Sequence, residues 1–249
     1  MLFPGIGTVV NVVTVLGGAT LGSLLGHRLP DRVRDVVTDA LGLVTLLIGG
    51  LSAWAVTDAD LTAAVGDSAP VLVVLGSLLL GGIAGAALRL EQRVESLGGL
   101  LQARLAGQSS SADRHRFIEG FVTASLLFCT GPLTILGSLN DGLGNGADQL
   151  FLKATLDGFA AVAFAASFGW GVAASALTVL VVQGALTLAG LFLGDVLPDA
   201  HLAGLTATGG LLLIGVALRL LRVREIPVAD LLPSLLVAPV LVQLAAALQ

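Results

Sequence analysis

Two stretches of this chain combine residue types and spacings that could do chemistry in an apolar setting. Lys153 and Asp157 are four residues apart, and so share one helical face. Asp157 falls about two turns inside an apolar run, and a carboxylate at mid-depth in lipid costs ~2.5–3.5 kcal/mol on insertion scales. It must therefore face protein or water, and Lys153 offsets part of the cost. Asp157 is the first candidate for a proton- or cation-linked group; the alternative is a structural ion pair near the outer interface. The second stretch runs Phe128-Cys129-Thr130-Gly131-Pro132-Leu133-Thr134, and continues through Gly137, Ser138, Asn140 and Asp141. Pro132 lacks an amide donor and clashes with the preceding turn, so a kink or break is expected, freeing the Phe128 carbonyl. Thr130, Thr134, a water or an ion could satisfy that carbonyl. The residues from Gly137 to Asp141 read as a second polar, flexible stretch. A broken helix lined with hydroxyls is one way to build an ion or substrate site; a kink healed by its neighbours is the other reading.

Asn11 and Gln183 lie in two further apolar runs and could add polar contacts, though such residues more often hydrogen-bond between helices. Other signals are declined. Gly142-x-Gly144-x-Gly146 has no Gly-Lys-Ser/Thr and reads as a flexible turn rather than a phosphate loop. Cys129 has no identifiable base and reads as a small buried hydrophobe. His27, His115 and His201 are far apart, and no CxxC or HExxH occurs, so neither a metal nor a cofactor is expected. No constellation fills the roles of an enzyme active site, and none is expected.

These residues sit in an extremely apolar chain. Of 249 residues, 55% are hydrophobic and 12% are charged, and mean hydropathy is +0.97. A soluble domain carries about 25% charged residues, so this chain cannot coat a globular surface. The net charge of -5 offers nothing to nucleic acid. A span needs about 20 apolar residues. Eight are expected, at 5–26, 38–56, 69–88, 117–137, 150–167, 170–193, 203–220 and 229–248. No Lys or Arg precedes Arg28, so the first run reads as a retained helix and not a signal peptide. Eleven of the twelve Lys and Arg fall in alternate loops, after spans 1, 3 and 7, whereas the other loops carry Asp58, Asp60, Asp67, Asp141, Asp148, Asp195 and Asp199. The positive-inside rule then places the basic loops in the cytoplasm and both termini outside. Within the cytoplasmic segment 89–116, Leu90, Val94, Leu97, Leu101 and Leu105 recur at helical spacing, so an amphipathic helix at the interface or on the protein's own face is expected, followed by a polar linker.

The chain also repeats itself. Gly22-x-x-x-Gly26-x-x-Leu29-Pro30-Asp31 returns as Gly190-x-x-x-Gly194-x-x-Leu197-Pro198-Asp199. Leu46-Leu47-Ile48-Gly49 returns as Leu212-Leu213-Ile214-Gly215, and Ala69-Pro70-Val71-Leu72-Val73 as Ala238-Pro239-Val240-Leu241-Val242. The first Leu-Pro-Asp lies in a basic loop and the second in an acidic one. Residues 5–88 and 170–249 therefore read as inverted repeats, an arrangement shared by many secondary transporters. Small faces at Gly18, Gly22 and Gly26, at Gly81 and Gly85, and at Gly190 and Gly194 permit close helix approach, and permit a homodimer without requiring one.

Three sets of residues carry a likeness to a known family. They are Phe128-Cys129-x-Gly131-Pro132 with Ile135-x-Gly137-Ser138-x-x-Asp141-Gly142-Leu143; Lys153-x-x-x-Asp157-Gly158; and Phe164-Ala165 with Gly169 and the Leu25-Gly26-x-x-Leu29-Pro30 turn. With these the chain resembles, over essentially its whole length, the uncharacterised bacterial YdfK/YqgA family of multi-pass inner-membrane proteins. The resemblance implies an integral membrane protein and assigns no substrate or site.

The sequence reading is one all-α membrane domain over residues 1–249, with inverted repeats (spans 1–3 and 6–8) around a central pair containing a broken helix. Its expected role is a secondary transporter or channel for a small solute or ion. A scaffold or sensor acting through 89–116 is the alternative. Its expected partners are the bilayer and that solute.

Overall fold

The structure, a computed structural model, describes residues 3–26, 30–105, 111–130, 132–193 and 198–248; at some helix positions, Thr130 and Pro132 among them, it describes the backbone alone. Leu29, Gly131, Gly194, Leu197 and the linker 106–110 lie outside the described residues. The described elements are helical: α1 (Ile6–Gly26), α2 (Asp31–Ala53), a 3-10 turn (Trp54–Thr57), α3 (Ala59–Val65), α4 (Ala69–Leu88), α5 (Leu90–Leu105), α6 (Ser111–Thr130), α7 (Pro132–Leu143), α8 (Asp148–Phe168), α9 (Gly171–Leu193), α10 (Asp199–Leu220), α11 (Val228–Leu231) and α12 (Ser234–Ala246).

Among the described residues, seven helical segments are long and apolar enough to cross a membrane. An eighth crossing forms if 113–129 and 133–143 count as one, with a 75° bend between them. The expected span boundaries agree with these to within a few residues. Two details differ. The loop between spans 2 and 3 contains α3, whose first turn is capped by Asp58; its Oδ1 accepts the Asp60 and Leu61 N–H groups at 2.9 and 3.3 Å. The stretch around Ser138 and Asp141 is not flexible but helical through Leu143, with Pro132 at the first helical position, where its fixed φ and missing donor are tolerated.

The chain divides into two compact units. Unit 1 holds Met1–Leu41, Val94–Cys129 and Leu133–Val196; unit 2 holds Gly42–Arg93, Thr130–Pro132 and Leu197–Gln249. In unit 1, α1 lies on α8 with its glycines as the seam. Gly18, Gly22 and Gly26 face the carbonyls of Gly158, Val162 and Ala166, so the two helices run parallel and in close contact. Added Cβ atoms there would overlap backbone. That glycine face is consumed inside the chain and is not free for a second copy. α9 folds back from α8 after two residues. It runs parallel to α6, with Gly171 against Phe117 and Ser125 Oγ donating to Thr178 Oγ1 at 3.0 Å.

In unit 2, α4 is antiparallel to α11–α12: Gly85, Gly81 and Gly76 face Asp230, Ser234 and Leu241 in turn. α2 is antiparallel to α10, with Gly42 on Leu221 and Gly49 on Gly210 and Ile214. Leu61, Val65, Val73, Ala200, Ala203 and Val242 form one buried apolar cluster, and the buried hydroxyls of Ser77, Thr208 and Ser234 donate to backbone carbonyls three or four residues back. Each of these helix directions is the one that alternating crossings require when α6 and α7 make a single crossing.

Candidate functional site

Lys153 and Asp157 sit on the inward face of α8. Leu150, Ala154, Ala161 and Phe164 are buried beside them, while Leu152, Leu156 and Phe159 point outward, each more than half exposed. A helix apolar outside and polar inside is what a lipid solvent demands. Asp157 lies nine residues from the start of α8, about 14 Å along a 21-residue helix.

Both charges are buried, and Lys153 Nζ donates to Asp157 Oδ2. The same oxygen accepts Asn11 Nδ2 at 2.9 Å, which ties α1 to α8 through a charge-assisted bond. Lys153 Nζ also lies 6.0 Å from the centre of the Phe128 ring, a cation–π distance. The Lys153–Asp157 pair thus meets the last turns of α6, immediately before the break.

The break itself is closed by its own neighbour. Thr134 Oγ1 donates to the Phe128 carbonyl at 2.9 Å, so the acceptor that the proline frees is satisfied within unit 1. Thr134 is in this arrangement a structural residue. Gly131 lies outside the described residues, and of Thr130 and Pro132 only the backbone is described.

α7 turns one polar face inward. Thr134, Ser138 and Asp141 follow at helical spacing, and their exposures are 0%, 0% and 3%. Asp141 is therefore not an acidic loop residue. Its Oδ2 accepts the Gly7 N–H at 3.1 Å, at the start of α1 where the first amides have no helical partner. Asn140 points elsewhere: it is half-buried and donates to Gln149 Oε1 at 3.2 Å on the exposed side, so it is no part of this layer. Gln183, on α9, is fully buried. One turn further along α9, Thr187 meets Thr8 of α1, with the two hydroxyls 3.3 Å apart. Since α9 runs opposite to α1, Gln183 lies level with Asn11.

The contributions of Gly7, Thr8, Thr187 and the Phe128 ring were not visible in the sequence. A glycine lends only its N–H, and threonines are common in apolar helices, so neither residue type signals a role. The placement of Asn11 and Gln183 in the same layer as Asp157 was likewise settled only by packing.

Four groups in this layer have unmet hydrogen-bonding capacity among the described residues: Asn11 Oδ1, Ser138 Oγ, and both Nε2 and Oε1 of Gln183. Buried polar atoms cost ~1–3 kcal/mol when left unpaired, and native interiors hold few of them. Among the described residues, these four are joined by only two others, Ser23 Oγ in unit 1 and His201 Nδ1 in unit 2.

Relatives share this sequence from end to end. The chain is 33% identical to Uncharacterized protein YqgA of Escherichia coli K12 over 233 residues, 94% of each chain. It is 28% identical to Uncharacterized membrane protein YdfK of Bacillus subtilis 168 over 236 residues, 95% of each. No solved structure matches it. The family model described as Protein of unknown function (DUF554) matches residues 6–243, and the chain, a multi-pass helical membrane protein, belongs to that family.

Proposed function

We propose that this protein is a secondary transporter or channel for a small solute or ion in the bacterial inner membrane, with its site in the buried polar layer of unit 1. The observation that carries the reading is the Asn11–Asp157–Lys153 cluster, buried at mid-helix beside a broken span, with buried unpaired polar atoms on Asn11 and on the neighbouring α7 and α9. Buried charge in a membrane interior is expensive, and such residues mark ion or substrate paths and proton relays.

Inverted repeats around that site would make two opposite-facing states structurally equivalent, which suits alternating access. Unit 2 supports this. Val73 and its sequence counterpart Val242 share one buried cluster, and Gly49 of α2 packs on Ile214, the counterpart of Ile48. An axis in the membrane plane must pass between equivalent residues of touching copies, and these pairs supply such places. With the basic loops in the cytoplasm, both termini face outward. The scaffold reading draws on α5, where Leu97 and Leu100 are exposed, as on a helix lying at the lipid surface.

The deciding experiment is thermal unfolding of the purified full chain against a panel of ions, amino acids and small organic acids, with Asp157→Asn as the matched control. A specific ligand at a hundred times its Kd stabilises the fold by about 2.7 kcal/mol. The expected result is a stabilising ligand whose effect is lost in Asp157→Asn. A folded protein that responds to nothing on the panel overturns the transport reading and turns attention to α5.

A further inference from the structure

The polar layer carries a charge imbalance that the Lys153–Asp157 pair does not remove. Among the described residues, three ionisable side chains are buried: Asp141, Lys153 and Asp157. Two carboxylates and one ammonium leave one negative charge. Lys153 is engaged by Asp157, and Asp141 has no cationic partner among the described residues; its carboxylate accepts a single backbone N–H, from Gly7. Burying an uncompensated carboxylate is costly unless something positive joins it.

The other unpaired atoms on α1, α7 and α9 are of the type a cation takes. Ser138 precedes Asp141 by three residues on the same inward face of α7, is fully buried, and its hydroxyl has no partner. Asn11 follows Gly7 by four residues, so it lies one helical turn, about 5.4 Å, from the N–H that holds Asp141. Its Nδ2 is committed to Asp157, which leaves its Oδ1 as an acceptor without a donor. Gln183 Oε1, level with Asn11, is a third such oxygen. One carboxylate and three neutral oxygens describe a hard, singly charged cation rather than an anion or a thiophilic metal. The remaining orphan, Gln183 Nε2, is a donor, and it suits an ion that keeps a water.

We infer that unit 1 binds a monovalent alkali cation between the inward face of α7 and the α1–α9 pair, with Asp141 as counter-charge and Ser138, Asn11 and Gln183 as neutral oxygen donors. This deepens, and rests on, the reading of that layer as a transport site, for which it names the ion. Lys153 then acts as a tethered cation that keeps Asp157 neutralised and leaves Asp141 to the mobile one.

The test uses the full chain in detergent, with NaCl, KCl and LiCl each titrated against choline chloride at constant ionic strength, and unfolding followed by tryptophan fluorescence. At least one alkali ion should raise the Tm saturably, while choline should not. Asp141→Asn should abolish that response. Ser138→Ala removes a hydroxyl that has no partner to lose, so it should leave the Tm in choline equal or higher, yet raise the half-saturating alkali concentration about tenfold, which is ~1.4 kcal/mol. If Asp141→Asn does not fold, Ser138→Ala decides alone. Equal stabilisation by choline and every alkali ion, or a wild-type titration in Ser138→Ala, overturns the inference. Two outcomes separate it from the transport reading. Saturable alkali binding without ion or solute flux in proteoliposomes keeps this site and removes transport. An Asp157-dependent response to a neutral solute, with no alkali effect, keeps transport and removes this site.

Discussion

Unit 1 and unit 2 are assembled from the same material, apolar helices notched by glycine, but their interiors differ. Unit 1 encloses Asp141, Lys153, Asp157, Asn11 and Gln183 in a layer with hydrogen bonds still to make. Unit 2 encloses an aliphatic cluster and keeps its strongest polar contacts near helix ends. There, Glu91 accepts Arg219 Nη1 at 2.7 Å and the Ala229 N–H at 2.8 Å, while Asp230 accepts the Glu91 N–H at 2.9 Å. The contrast separates two uses of polarity. At a helix end a carboxylate satisfies orphan amides and an arginine, and so completes a frame. A buried polar group that is not fully satisfied lowers stability, and its persistence calls for a ligand; Asp141 does both, meeting a first-turn amide of α1 while keeping acceptor capacity to spare.

The largest effect should come where the two units are alike. Gly22→Leu in unit 1 and Gly85→Leu in unit 2 both drive a side chain into backbone, of Val162 and Asp230 respectively. Both variants should fail to give a monodisperse peak in size-exclusion chromatography. A well-behaved Gly22→Leu protein would mean that the α1–α8 seam is not as close as described.

The next effect should expose the difference. Lys153→Met leaves Asp157 buried without its partner and should cost about 3–5 kcal/mol in chemical unfolding. Lys153→Met combined with Asp157→Leu should recover most of that stability but none of the ligand response. A double variant as unstable as the single would show that the pair is framework, like the contacts of unit 2.

The smallest effect belongs to the rim of unit 2. Glu91→Gln weakens charge-assisted bonds of a half-buried pair and should lower stability by about 1–2 kcal/mol, without altering the ligand response of unit 1. Glu225, on the far side of Arg219 at 3.3 Å and 79% exposed, should be replaceable by glutamine with no measurable change in Tm. An altered ligand response in Glu91→Gln would erase the proposed division between frame and site.

Most of the fold was legible because lipid simplifies the reading. A backbone that must satisfy itself in hydrocarbon becomes a helix, and hydropathy alone marks its length. α7 was misjudged for a definable reason: Gly137, Ser138, Asn140 and Gly142 each weaken a helix, and only burial against α8 and α9 makes one of them. The site was half legible. Lys153 and Asp157 announce themselves by charge and spacing. Of the two roles the sequence leaves open for Thr134, lining a site or closing the break, the structure shows the second. Asn140 was included on residue type, and its position on the outer side of α7 excludes it.

What the sequence determined by itself was therefore what local covalent and solvent physics sets: the helical spans to within a few residues, the burial of Lys153 and Asp157, and the bend at Pro132. What the tertiary structure decided was which deep groups meet. Asp157 meets Asn11, 146 residues away, and Asp141 meets Gly7, 134 residues away. Such contacts depend on the depth and rotation at which two helices lock. Those are fixed by glycine seams like that of α1 on α8, whose register cannot be read from either helix alone.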